Sequence, residues 1–353
     1  MQIDFHHAVT YVAARIAGFK HEEADIIAYA AQYVDDAVCD GVVCFNNSAR
    51  YKRISSAHKT ADPHNLDDLE NLLVWMPFHF LPGNGGADPG ADPEGSFIHK
   101  LVCLHDSPVA REMLAAANAD HAKPYALHRL GIAMHVYADT WAHQGFAGVN
   151  NSINEVHDAE ETDSSGVFED LGEEITTWLA AKFVPPMGHG QAKAFPDMPF
   201  LSWQYVNGHD KSVPRNNTEL FCEAAEGLCK AMQEYRRQTI PDLPITGIGA
   251  ADMNEIRGLF SGLKTADENA RHSEWLRAIE AGRFSFGPAA TSYAGEGENS
   301  WKARALGGPE DEDEYPYSAS FLTSDWKMFH DALQQHRLTV SHEILPRFGI
   351  CAA

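Results

Sequence analysis

Basic residues are scarce in this sequence of 353 residues: 27 Lys and Arg stand against 50 Asp and Glu, a formal net charge of −23. Such a field repels long polyanions, so nucleic acid is not an expected partner. Long apolar runs are missing as well. None approaches the roughly 20 residues that cross a bilayer, so no transmembrane segment is expected. No opening stretch couples a basic start to an apolar segment, which leaves the expectation of a cytoplasmic protein, or of one exported without a classical signal peptide. The six cysteines, Cys39, Cys44, Cys103, Cys222, Cys229 and Cys351, lie far apart and form no CxxC pair. That spacing argues against a disulfide framework and a cysteine zinc site, and fits reduced thiols. There is no GxSxG motif, no Cys/His pair has local support, and "GNGG" at 83–86 does not open a helix after a strand. Nucleophilic catalysis through Ser or Cys and a phosphate-cradling glycine loop are therefore both unexpected.

Histidine, in contrast, is abundant: 19 imidazoles accompany the excess of carboxylates. Neutral imidazole and carboxylate are the usual ligands of divalent cations, so the composition leans towards metal binding. The hydrophobic fraction of 44% is that of a globular protein. Apolar spacing predicts helices over 4–18, 21–36, 107–119, 124–143, 168–183, 218–238, 252–263 and 324–344, with Asp4 as the first N-cap and Gly18 as the first stop. Glycine, proline and charge predict irregular chain at 37–65, 83–95, 185–199 and 307–318, where "EDEDE" (310–314) reads as a solvated face. Strand signals are few and no repeat is visible. The expected architecture is all-α: a single domain over 1–353, a multi-helix bundle with long decorating loops, of which 83–96 and 290–318 are insertions.

One segment carries chemistry. In "AMHVYADTWAHQG", 133–145, His135, Asp139 and His143 recur every four residues in an otherwise apolar stretch, and His128 stands seven before His135. On a helix these groups form one vertical stripe, with β-carbons about 5–6 Å apart. Burying them is costly unless each is paired, and a divalent cation is the simplest single partner for two imidazoles and a carboxylate. The plainer alternative is ordinary amphipathicity, with the histidines bonded to backbone or solvent.

"LGIAMHVYADTWAHQGF" (130–146) resembles the metal helix of the zinc-dependent phospholipase C and single-strand nuclease superfamily, in which His is followed four residues on by Asp and then by another His. "DFHHAVTYVAARIAGFKHEEADIIAYAAQYVDD" (4–36) resembles the opening helix pair of bacterial members and of related heterokaryon-incompatibility proteins. The resemblance covers the first 150 residues; beyond them it is weaker, to an uncharacterised bacterial branch. It implies a phospholipase C-like helical fold holding two or three zinc ions. Position by position it implies His6 as the early ligand, Asp35 or its neighbour Asp36 as the carboxylate closing the second helix, and His135 with Asp139 as the central pair, Asp139 bridging the ions. His143 follows Asp139 by four, as in the heterokaryon-type branch, whereas the phospholipases place this His six later. One further His is implied between Asp35 and His135; His58 is the choice, with His64 and His79 competing. After His143 the pattern asks for another His with an acid nearby, met by His189 or by His157 with Glu161, and His189 is preferred for its Pro/Gly-framed loop. Secreted members also use the amino group and carbonyl of an N-terminal Trp. Here Met1 and Gln2 precede "IDFHH", so a third ion would be held differently or be absent.

The implied activity is metal-assisted hydrolysis of a phosphoester, most simply a lipid headgroup or another small diester. Asp35, a ligand with a second oxygen to spare, would orient or deprotonate the attacking water. Trp75, Phe78, Phe80 and Trp141 would line an apolar approach, or else be core. Two rivals stand beside this reading: iron or manganese in the same His/carboxylate set, and a non-enzymatic protein whose metals only staple its helices.

Overall fold

Small apolar residues at helical spacing dictate how the chain begins. A wide π-helical turn, Asp4–Val9, runs into α1 (Thr10–Ile16), and α2 (His21–Asp36) follows. The computed structural model describes residues 1–57, 72–162, 188–192 and 194–351. α2 opens on a capping box in which the Lys20 N–H donates to Glu23 Oε2 at 2.9 Å, and Glu22 and Glu23 complement the helix dipole. Asp4 does not act as the expected cap. It lies inside the π turn, fully buried, and accepts a hydrogen bond from Arg271 Nε at 2.7 Å. A buried carboxylate needs a charged partner more than a helix end needs a cap.

The rest of the chain adds nine α-helices and five strands among the described residues. β1 (Gly41–Cys44) and β2 (Arg50–Arg53) form an antiparallel hairpin. Then come α3 (Trp75–Phe78), α4 (Ile98–Leu101), α5 (Pro108–Ala119) and α6 (Ala126–Ala142). β3 (Val156–Glu161), β4 (Ser202–Asn207) and β5 (Ser212–Asn216) make an antiparallel sheet in that order. α7 (Asn217–Arg236), α8 (Ala250–Gly262), α9 (Glu268–Glu280), α10 (Trp301–Leu306) and α11 (Asp325–Leu338) complete the chain. No helix among the described residues is long and apolar enough to cross a membrane.

The expectation of an all-α protein is therefore corrected: the architecture is helix-rich but mixed, 52% helical and 10% strand, with two small antiparallel sheets. The strands escaped the sequence reading because they are four to six residues long and, β1 apart, rich in polar groups. β2 reads "RYKR" and β3 "VHDAEE", without the apolar alternation that marks a half-buried strand. Only β4 alternates clearly, turning Trp203 and Tyr205 onto Phe146 and Phe195. The hairpin β1–β2 falls in the stretch expected to be irregular, and α10 falls within the expected insertion 290–318. The helix expected over 168–183 lies outside the described residues.

α6 is the axis of the molecule. Every residue in it except Leu127 is buried, because α2, α7, α11 and α5 surround it. Its closest neighbour is α2, and Gly131 sets the distance: a Cβ there would lie 2.4 Å from the Ile27 carbonyl oxygen and 2.7 Å from the Ala30 Cβ. Gly131→Val should accordingly cost about 3 kcal/mol, since the clash is with backbone that cannot rotate away. Thermal unfolding checks this; an unchanged midpoint would show that the two helices slide apart freely.

Candidate metal centre

Six segments of chain deliver side chains to one end of α6. His135 and Asp139 lie on the helix and His143 caps its C-terminus. His6 comes from the π turn, where the widened backbone buries His6 and His7 together, Asp35 from the last turn of α2, and His79 from the residue after α3. His189 and Asp197 come from two tight turns ahead of β4.

Three of the imidazoles have their protons fixed by backbone carbonyls. His135 Nδ1–H donates to Ala31 O at 2.8 Å, His79 Nε2–H to Ser56 O at 2.9 Å and His143 Nδ1–H to His79 O at 2.7 Å. A carbonyl can only accept, so these nitrogens bear the protons, and in the neutral rings the other nitrogens carry the lone pairs. His135 Nε2 and His79 Nδ1 then face each other at 3.2 Å. Asp139 Oδ2 lies 3.3 and 3.4 Å from them, and Asp35 Oδ1 3.8 Å from each. His6 is wholly buried, stacked on His135 at 3.8 Å between ring centroids, with neither ring nitrogen hydrogen-bonded and its Nε2 3.2 Å from Asp139 Oδ1. Acceptors gathered in this way repel one another unless a cation or a proton sits among them.

A second group adjoins the first. Asp197 Oδ1 is 3.5 Å from His143 Nε2, and Asp197 Oδ2 is 3.4 Å from His189 Nε2. His143, His189 and Asp197 thus form one set with metal-ligand spacing, while His6, Asp35 and His135, and His79, His135 and Asp139, form two overlapping sets beside it. Asp139 lies between the halves, its Oδ2 3.7 Å from His143 Nδ1, the nitrogen whose proton goes to His79 O. The Met1 ammonium group sits 2.7 Å from Asp139 Oδ1 and 3.1 Å from Asp197 Oδ1. Burial works against that charge, but Asp139 and Asp197 lift its pKa to about 11.

The electrostatics follow from crowding. Burial and the charge of Asp139 push the Asp35 carboxyl well above the usual carboxylate range. Asp139 itself, despite burial, is held well below that range by His143, the Met1 ammonium and His135. Burial and the nearby ammonium lower His6 to about 4, and burial lowers His135 well below the ordinary histidine value. Neutral imidazoles with an ionised bridging carboxylate are the protonation states a divalent cation requires of its ligands. The donor set fits such an ion: nitrogen and oxygen only, with the ring protons already turned outward.

Among the residues singled out in the sequence, the structure brings together His6, Asp35, His135, Asp139, His143 and His189, and it places His79 with them. His58 and His64 lie outside the described residues. Asp36 turns away from the cluster to accept from the Tyr293 hydroxyl. His128 pairs with Asp325 at 3.1 Å, at the far end of α6. His157 and Glu161 lie on β3, not on a helix; His157 is exposed beside Glu155 and neither joins the cluster. Asp197 was missed. It stands in "FPDMP", where prolines erase any periodicity, and its one signal was the implied acid near His189.

Residues 1–344 match a family of unknown function, DUF6765. The chain belongs to DUF6765. No curated protein and no solved structure matches it. The family match takes in the whole cluster, from His6 to Asp197.

In this DUF6765 chain the members of the cluster differ in exposure. The side chains of His6, His79, His135, Asp139 and His143 are at most 5% exposed, whereas His189 is 19% and Asp35 32% exposed. Asp35 and His189 are therefore the members of the cluster that reach solvent most. Of the aromatic residues considered as lining, Phe78, Phe80 and Trp141 are core, Phe80 stacking on the His143 ring at 4.5 Å. Trp75 alone is part-exposed, its ring 5.1 Å from that of His79. Among the described residues no Lys or Arg side chain forms an ion pair with Asp35, Asp139 or Asp197.

Proposed function

We propose that this protein is a metal-dependent hydrolase of phosphoesters, acting as a phospholipase C-like phosphodiesterase with zinc in the cluster. The observation that carries the reading is the convergence of imidazole lone pairs on Asp139 and Asp35, with the ring protons tied back to carbonyls of Ala31, Ser56 and His79. His6, His79, His135 and Asp35 would hold one ion, and His143, His189 and Asp197 another, with Asp139 between them. Ions in such a pair neutralise phosphoryl oxygens and make water a nucleophile near neutral pH.

The residues themselves do the positioning. Asp35 is both a ligand and the group nearest solvent, so its outer oxygen is placed to orient an entering water and take its proton. Its exposure favours a catalytic site over a structural staple, which would be coordinatively closed. The lack of any Lys or Arg ion pair to these carboxylates, among the described residues, favours a small or lipid-borne phosphoester over a polyanion. Iron or manganese would satisfy the same ligands.

Elemental analysis of protein purified without chelator, followed by assays on phosphatidylcholine vesicles, a chromogenic phosphodiester and single-stranded DNA, tests the reading. The expected result is about two zinc ions per chain and chelator-sensitive cleavage of the first two substrates. Protein that takes up no transition metal, or cleaves none of the three when loaded, would sink it.

A further inference from the structure

The small sheet that breaks the helical pattern carries a charged side chain into the molecule. On β5 only Arg215 is buried, at 6% exposure, directly opposite Trp203 on β4. Its guanidinium carbon lies 5.9 Å from the Trp203 ring centroid. Nη2 donates to Trp141 O at 3.1 Å and Ala142 O at 2.7 Å, and Nη1 donates to Gln144 O at 3.0 Å. These are carbonyls at the C-terminus of α6, where the last turn of a helix leaves acceptors without partners and favours a positive charge. They also bracket His143 on both sides.

We infer that Arg215 is a positioning residue for the second half of the metal cluster, fixing His143 so that its Nε2 faces Asp197. The inference rests on the proposed reading of the cluster. The rest of the His143 setting is consistent with it: the backbone N–H donates to Asp139 O at 2.8 Å, the ring donates to His79 O, and Phe80 stacks on one face. None of these contacts fixes the carbonyls on either side of His143; Arg215 does. The polar contacts of Arg215 run to the end of α6 and to the Tyr205 hydroxyl, and its charge reaches Asp197 of the second half, but none runs to His6, Asp35, His79 or His135. Loss of the guanidinium therefore affects one half alone, which a merely structural role would not do.

Arg215→Met and Arg215→Lys separate the possibilities, with circular dichroism and thermal unfolding first establishing that each variant folds. Zinc affinity is then measured by titrating metal-free protein against a chromophoric chelator, with cobalt absorbance as an independent count of sites. The Arg215→Met variant should bind one ion as wild type does and the other about 10–100-fold more weakly, the usual cost of losing a group that orients a ligand. Lysine, a single point donor that cannot span the two carbonyls flanking His143, should recover only part of that loss. Imidazole ¹⁵N spectra of the metal-free proteins should show His143 perturbed and His135 unchanged. Two unchanged affinities, equal losses at both sites, or an unperturbed His143 would each overturn the inference; if the Arg215→Met protein does not fold, Arg215→Lys decides by the same readouts. Failure of the cluster reading is recognised separately, by wild-type protein that binds no ion, and in that case the ¹⁵N spectra alone judge Arg215.

Discussion

Asp139→Ala should leave a folded protein with almost no bound metal and no phosphodiesterase activity. The two oxygens of this carboxylate serve different neighbours: Oδ1 faces His6 Nε2 at 3.2 Å, and Oδ2 faces His79, His135 and His143 at 3.4, 3.3 and 3.7 Å. Removing it takes away the bridging charge and leaves neutral imidazoles that attract a cation far less. Groups that only orient ligands are worth about 10–100-fold in affinity, so losing a ligand shared by both halves should cost more than ~100-fold at each. In kcat/KM the expected drop is about a thousandfold or more, roughly 4 kcal/mol of transition-state stabilisation. Asp139→Asn keeps the shape and loses the charge, so it should behave almost as badly. Metal content by elemental analysis and kcat/KM on a chromogenic diester provide the readouts. An alanine variant that keeps two ions and full activity would remove Asp139 from the centre of the site.

The second large effect is on stability in acid. His330 is buried against Trp326 and Phe329, near the Arg53 charge, and burial together with that charge lowers its pKa to about 3. His272 is buried with its Nε2 2.9 Å from His7 Nδ1, and burial lowers it to about 4. Both are bases whose folded-state pKa falls below the unfolded value of 6.5. Between those limits the unfolded chain binds the proton and the folded chain refuses it, so stability rises with pH there. It is intact above pH 6.5 and declines as the pH falls towards 4 and then 3. At about 1.36 kcal/mol per pH unit, the two groups together should remove roughly 5 kcal/mol between about pH 7 and pH 4.5. Urea unfolding across that range measures the loss, to which the buried His6 and His135 add in the same direction, and His330→Gln should lessen it by roughly 2–3 kcal/mol. A midpoint that stays in place across the same interval would contradict the burial argument.

How much of this was legible in the sequence differs from element to element. α2 and α6 were visible because their apolar residues recur with helical period over 16 and 17 residues. The His135–Asp139 pair stood out because a helix that is otherwise apolar on all sides should be buried, which makes polar groups on it conspicuous. His79 and Asp197 were less visible because neither lies on a long element: one follows a four-residue helix, the other sits in a three-residue turn between prolines. Only the tertiary fold brings those turns to α6. Arg215 was invisible for a related reason, since β5, "SVPRN", resembles a surface turn until its pairing with β4 directs that one side chain inward. Pro214 fits there because β5 is at the edge of its sheet.

The π-helical turn at the start of α1 leaves the chain without slack. His6 and His7 are adjacent and both fully buried, yet one stacks on His135 and the other bonds His272 on α9. Neighbouring residues thus answer to two separate neighbourhoods, with Asp4 pinned to Arg271 just before them. Inserting or deleting a single residue between Asp4 and Thr10 would shift both imidazoles the same way, carrying one into the other's surroundings and the second out of both, so the length of this turn is as much a part of the site as its side chains.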